Sequence, residues 1–374
     1  MSDAYKLRLL IVDDSAYNRR HLSDVFVGRD DVEVVGRAGD GEEALRLCLQ
    51  LRPDVITLDL EMPRMDGFTF LRILMAKQPT PVIVVSSYSQ KENVFKALEL
   101  GALDFVAKPD RQIGPDAEDL KQQVLDKVLL VRSLRPAALE RGARPALRRA
   151  SPASPLGAID PSAMTFPIGS RELGGLAPVT AVTGQPPRRV VVVACSTGGP
   201  SALLDVVGRL PPSSPAAFVF AQHMPDKFTR TFAERLGRRG TLRVTEAQDG
   251  DTLLASTGFV CPGRQCAEVI ARGSALELRV GAAATTDRFV PSADRLFKSV
   301  AAAVGPRAVG VVLTGMGDDG TEGARAIREA GGTVLVESQE TAVVYGMPGS
   351  VERAGLAHEV LALPLLAERL AQLS

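Results

Sequence analysis

Leu-Arg-Leu-Leu-Ile-Val-Asp-Asp-Ser, residues 7–15, is an apolar run that stops on two adjacent carboxylates. It reads as a buried strand with Asp13 and Asp14 at its end. Further β-rich runs follow at 32–35, 55–58, 82–85 and 105–107. Amphipathic stretches near 16–27, 41–51, 67–77, 91–100 and 117–134 lie among them. Strands alternating with helices in this way predict an α/β fold with a doubly wound parallel sheet. Right-handed crossovers leave few other topologies.

In such a sheet, chemistry collects beyond the carboxyl ends of the strands. Asp13 and Asp14 end the first strand and Asp59, in Leu-Asp-Leu-Glu-Met-Pro (58–63), the third. Ser86 ends the fourth and Lys108 the fifth. Clustered carboxylates repel one another unless a divalent cation joins them, and an oxygen-only set favours Mg²⁺. A carboxylate so placed can attack a phosphoryl group. Lys108 and Ser86 would then hold the phosphoryl oxygens. One carboxylate at a strand end ordinarily caps a helix or faces water; all these residues at one sheet edge leave little room for that reading.

On these residues, positions 1–134 resemble a response-regulator receiver domain with a flavodoxin-like (βα)5 fold. The resemblance implies that Asp59 is the phosphoacceptor, and that Ser86 and Lys108 are the switch hydroxyl and lysine. It implies Mg²⁺ held by Asp14, Asp59 and the Glu61 backbone carbonyl, with Asp13 acting through water. A frequently cis bond between Lys108 and Pro109 belongs to the same pattern.

The chain has 374 residues, enough for two domains of ordinary size. Its 44 basic and 44 acidic side chains balance, so no global field favours nucleic acid or a membrane surface. Cys48, Cys195, Cys261 and Cys266 fit neither a zinc nor a disulfide spacing, which points to a reducing cytoplasm. No apolar run approaches the roughly 18 residues of a membrane span, and the first residues carry no signal-peptide core. Between 135 and 187, prolines recur among Ala, Gly, Ser and Arg, the composition of a flexible linker. Its arginines read as a solvated basic segment, or as a docking patch for an acidic partner.

Order resumes at 188. Strands are expected at 190–193, 217–221, 308–313 and 333–336, with helices after Pro200 and at 228–236, 294–304 and 321–330. Residues 242–280 read as a β-rich insertion in this second α/β unit. Ser196 follows the four-valine strand and precedes Thr-Gly-Gly-Pro, a turn that exposes a hydroxyl and aims backbone N–H groups at negative charge. Alone, it equally suits a phosphate or nucleotide. The lipase elbow is half met, because Ala194 replaces its first glycine. His223 ends the next strand, and Asp319 lies in the Gly-rich loop after the strand at 308–313. A lone histidine there is more often structural. Together the three form a Ser-His-Asp constellation at one sheet edge, in an order unlike trypsin, subtilisin or α/β-hydrolases. Cys195 is the better intrinsic nucleophile, but strand alternation turns it away from Ser196.

Residues 188–374 resemble the catalytic domain of chemotaxis protein-glutamate methylesterases, the CheB family. The matching stretches are 196–200, 222–225, 228–236, 291–297, 313–320 and 343–348. The resemblance implies a nucleophile at Ser196, a base at His223, an orienting acid at Asp319, and Thr197 and the Met316 backbone near the oxyanion and triad. It implies hydrolysis of γ-glutamyl methyl esters on methyl-accepting chemoreceptors, glutamine deamidation, and a chemotaxis histidine kinase as phosphodonor. No cofactor is expected in this domain, and no nucleic acid or membrane insertion. Departures from the family pattern stand at Ala194-Cys195, Cys266, Phe289-Val290 and Glu337-Ser338, where Gly-Ala, His, His-Arg and Gln-Asp are usual. The rival reading is a receiver tethered to a non-catalytic anion- or protein-binding adaptor, which would need no triad. A receiver-controlled transcription factor is disfavoured, since no helix-turn-helix pattern follows the linker.

Overall fold

The computed structural model describes residues 5–87, 91–108, 115–134, 184–211 and 213–373. The expected linker at 135–187 and the bond at Pro109 therefore lie largely or wholly outside the described residues.

The N-terminal unit alternates β1 (Leu7–Val12), α1 (Ala16–Asp24), β2 (Val32–Ala38), α2 (Gly41–Leu51), β3 (Val55–Leu58), α3 (Gly67–Lys77), β4 (Val82–Ser87), α4 (Lys91–Glu99), β5 (Asp104–Lys108) and α5 (Pro115–Leu130). The parallel sheet runs β2-β1-β3-β4-β5. Strand alternation sorts its side chains onto two faces. Leu9, Ile11, Ile83, Val85 and Val106 pack with Leu22 of α1 and Val124 and Val128 of α5. Leu10, Val12, Ile56, Leu58 and Val84 pack with α2, α3 and α4. Helix starts follow local capping chemistry: Asp40 accepts from the Glu42 and Glu43 N–H groups, and Asp66 from Thr69.

The C-terminal unit contains β6 (Arg189–Cys195), α6 (Gly199–Val207), β7 (Ala216–Gln222), α7 (Asp226–Arg239), β8 (Arg243–Glu246), β9 (Thr257–Val260), β10 (Gln265–Arg272) and β11 (Ala275–Ala282). It continues with α8 (Ala293–Val304), β12 (Ala308–Val312), α9 (Thr321–Glu329), β13 (Thr333–Glu337), α10 (Met347–Arg353), β14 (Glu359–Leu361) and α11 (Leu363–Leu373). Its sheet order is β14-β13-β12-β6-β7-β9-β8, and all its neighbouring strands pair in parallel. The order turns back at β6, with β12 on one side and β7 on the other. Ligands bind at such a switch point.

The β-rich segment divides. β8 and β9 join the main sheet, and only the antiparallel β10–β11 hairpin stands apart. The Thr257–Val260 run pairs with β7 and is buried throughout, whereas β10 buries Cys266, Ala267 and Val269 and is exposed at both ends.

The two units touch. Phe95 of α4 and Phe105 of β5 meet Phe228, and Phe95 also stacks on Phe232 of α7 at 5.5 Å. Arg235 of α7 pairs with Glu92 at 3.0 Å and with Glu99, both on α4. One buried apolar cluster consequently runs from the first sheet into the second.

Candidate active site

Each expected receiver residue is found at one sheet edge. Asp13 and Asp59 are buried, Asp14 is exposed, and one oxygen of each lies within 4.8 Å of the others. The Asp13 carboxylate accepts from the Ser15 N–H at 2.9 Å, and that of Asp59 from the Glu61 N–H at 3.3 Å. Lys108 donates to Asp13 at 2.9 Å and to Asp59 at 2.5 Å. Burial pushes the Asp59 carboxyl up against the opposing pull of Lys108. Burial alone would lower the Lys108 ammonium, but Asp59 and Asp13 outweigh it and hold it above its ordinary range. An all-oxygen donor set beside one lysine suits a hard divalent cation such as Mg²⁺. Ser86, fully buried, stands opposite Ala107 in the β4–β5 register.

In the second unit β6, β7 and β12 deliver Ser196, His223 and Asp319 to one place. Asp319 lies 2.8 Å from His223 Nε2, through Oδ2. The same carboxylate accepts the N–H groups of Ala293 and Asp294 at the start of α8, at 2.8 and 3.0 Å. Burial would raise its pKa, but His223 and these N–H groups hold it below the usual carboxylate range. Asp319 is thus a fixed anion, and Nδ1 is the nitrogen left for the serine.

Ser196 is the partly open residue of a buried turn. Its N–H donates to the Thr314 carbonyl at 3.0 Å. The Thr314 hydroxyl donates to the Thr197 carbonyl at 2.9 Å. At Gly315 a Cβ would lie 2.9 Å from Ser196 Cβ, so only glycine lets the loop carrying Met316 and Asp319 pass this close. Met316 is half exposed beside the turn. Among the described residues no hydrogen bond joins the Ser196 hydroxyl to the His223 ring. Catalytic contacts commonly tighten only when substrate binds.

Cys195 is fully buried, its thiol donates to Gln222 Oε1 at 3.1 Å, and burial pushes its pKa well up. It is inert by the criteria that make thiols reactive. Cys195→Ala should therefore keep most of the hydrolytic rate and lose about 1–2 kcal/mol of stability; initial rates and a thermal melt check both.

Two site residues escaped the sequence reading. Gln222 donates to the carbonyls of both Ser196 and His223, each at 3.0 Å, and so joins the two turns. Asp294 accepts from Gly320 at 3.0 Å and Gly323 at 2.7 Å, anchoring the Asp319 loop on α8. Both lie in stretches that carry the family resemblance, 222–225 and 291–297, which assign neither of them a role. Glu337, one of the departures, accepts the Thr314 N–H at 2.8 Å and braces the turn from below.

Thr197, beside Ser196, is covered by the first unit: its hydroxyl donates to Asp104 of β5 at 2.5 Å. Lys127 of α5 pairs with the same carboxylate.

The family model described as CheB methylesterase matches residues 191–370, and that of the response regulator receiver domain matches residues 9–114. A protein-glutamate methylesterase/protein-glutamine glutaminase from Myxococcus xanthus is 45% identical over 374 residues, covering 100% of this chain and 99% of its own. The chain belongs to the CheB methylesterase family. A relative of the same description from Anaeromyxobacter dehalogenans is 46% identical over 372 residues, covering 98% of this chain and 95% of its own. Among solved structures, the Thermotoga maritima CheB methylesterase catalytic domain is 35% identical with a TM-score of 0.49, covering 50% of this chain and 98% of its own. The chain is thus a hydrolase with a receiver at its N-terminus, and the expected fold class holds. The non-catalytic adaptor is not favoured. Receiver and methylesterase domains together imply a phosphodonor kinase and receptor substrates in general. No described helix is long and apolar enough to cross a membrane.

Proposed function

We propose that this CheB-family enzyme hydrolyses γ-glutamyl methyl esters on the cytoplasmic helices of methyl-accepting chemoreceptors, and deamidates receptor glutamines, through Ser196, His223 and Asp319. The observation that carries this reading is the Asp319–His223 pair held beside Ser196 at the sheet's switch point. Ser196 Oγ attacks the ester carbonyl while His223 takes its proton. The oxyanion would face backbone N–H groups near Met316. His223 returns the proton to the departing methoxide, releasing methanol and leaving an acyl-serine. Water, deprotonated by His223, then attacks this ester, and glutamate leaves as Ser196 regains its proton. Asp319 stays ionised throughout and stabilises the imidazolium. With a glutamine side chain the same steps release ammonia.

On this reading residues 1–134 are the regulatory domain, 135–187 a linker and 188–374 the catalytic domain. Asp13, Asp14, Asp59 and the Glu61 carbonyl would hold Mg²⁺, which neutralises charge during phosphoryl transfer to Asp59. Lys108 and Ser86 would then hold the phosphoryl oxygens. The docked arrangement seen here, with Asp104 on Thr197, is the low-activity one. Methanol release from methylated receptors, with and without a phosphodonor and Mg²⁺, tests the reading. No methanol under either condition refutes it.

The switch makes its own prediction. A small phosphodonor with Mg²⁺ should place one phosphoryl group on Asp59, detectable by mass spectrometry after borohydride trapping. Asp59→Asn should remove the label; undiminished labelling of that variant would place the phosphoacceptor elsewhere.

A further inference from the structure

We propose that Phe289 is a positioning residue for hydrolysis: its ring fixes the plane of the His223 imidazole, so that Nδ1 faces Ser196 while Nε2 stays on Asp319. The proposal rests on the triad reading above. A single hydrogen bond at Nε2 leaves an imidazole able to turn about that bond. Such turning would carry Nδ1 away from the serine. The Phe289 ring lies face to face with the imidazole, centroids 5.2 Å apart and planes within 8°. Stacked rings of this kind hold each other by contact area and by preferred geometry.

Phe289 is itself held on two sides. Gly317, in the loop between Met316 and Asp319, has φ +90°, and a Cβ there would sit 3.2 Å from Phe289 Cζ. A side chain there would press on the ring, and glycine both leaves it room and takes the positive φ without strain. The Arg288 guanidinium lies 5.5 Å from the Phe289 centroid and pairs with Asp318 at 3.2 Å. These contacts tie the segment ahead of α8 to the loop that carries the orienting acid. Phe289 thus touches the imidazole directly and, through Gly317, the loop that carries Asp319. This is also a position where the chain departs from the usual family residue. A phenyl ring neither titrates nor competes for the hydrogen bonds of His223.

The test uses the full chain with phosphodonor and methylated receptors. Phe289→Leu should lower kcat about tenfold, the scale of an aromatic pair's orienting effect, with KM unchanged. Phe289→Tyr keeps a stacking face and should stay within roughly twofold of the parent. The chain has only three histidines, so the His223 ring protons can be followed by NMR. Their aromatic ring-current shift should vanish in Phe289→Leu and persist in Phe289→Tyr. Parental kcat in Phe289→Leu overturns the proposal. So does an effect confined to KM, which would make Phe289 a substrate wall, or a loss that tyrosine fails to restore. Should Phe289→Leu melt far below the parent, Phe289→Met supplies another unringed apolar side chain for the same kcat and KM comparison. Ser196→Ala separates the two layers: full activity there removes the triad reading itself, whereas a dead Ser196→Ala beside an unaffected Phe289→Leu removes only this proposal.

Discussion

Ser196→Ala should abolish methanol release, with a rate loss on the order of 10⁶, the scale of removing a triad nucleophile. The turn should survive the change. Its hydrogen bonds run through the Ser196 backbone, to Thr314 and from Gln222, and none of them uses the hydroxyl. A melt close to the parent's would show that the loss is chemical. Asp319→Asn should cost less than the serine change, because its single amide oxygen can still accept one of the two α8 N–H groups while the side chain no longer stabilises an imidazolium. Near-normal turnover by Ser196→Ala would end the mechanism, and Gln222 or Glu337 would then need a new role. Cys195 offers no easy alternative nucleophile, since its thiol is sealed behind Gln222 and Gly199.

The candidate triad residues were legible because each follows a strand. Runs such as Val190–Val193 and Ala217–Ala221 can only be buried strands, so the polar residue ending each run has to emerge at the same sheet edge. The receiver acids were legible for the same reason. What stayed hidden was bonding to backbone groups brought close by topology. Gln222 contacts carbonyls of two turns, and Asp294 contacts N–H groups from a loop more than twenty residues away. Neither has a local pattern. Phe95, Phe105, Phe228 and Phe232 were invisible as an interface: each fits the apolar periodicity of its own helix or strand, and periodicity does not say which partner an apolar side chain meets. Short β8 and β9 lack the length to announce whether they extend a sheet or form a hairpin.

Deleting residues 1–187 should raise basal methylesterase activity at least tenfold and make it independent of phosphodonor. The reason lies in what the first unit covers. Asp104 holds the hydroxyl of Thr197, the residue next to Ser196. Glu92 and Glu99 hold Arg235, and the Phe95 ring lies on Phe232. A tenfold inhibition needs a docked arrangement favoured by only about 1.4 kcal/mol, well within reach of a few buried aromatic and charge-assisted contacts. A linker of this composition cannot impose a pose, but it keeps the local concentration of the partner high. The interface therefore has to carry the switch. Asp104 and Lys108 sit at opposite ends of β5, about 13 Å apart at strand rise. A phosphoryl group on Asp59 would act on Lys108 and Ser86 at one end, and α4 with its two glutamates leads from that end to the interface. Glu92→Lys with Glu99→Lys in the full chain should accordingly mimic part of the deletion, because both changes oppose Arg235 and leave the phosphoacceptor site intact. Initial rates of the full chain, this double variant and residues 188–374 on methylated receptors make the comparison. If 188–374 proves slower than the full chain without phosphodonor, the receiver delivers the enzyme to its receptors or activates it, and the covering contact at Thr197 is not inhibitory.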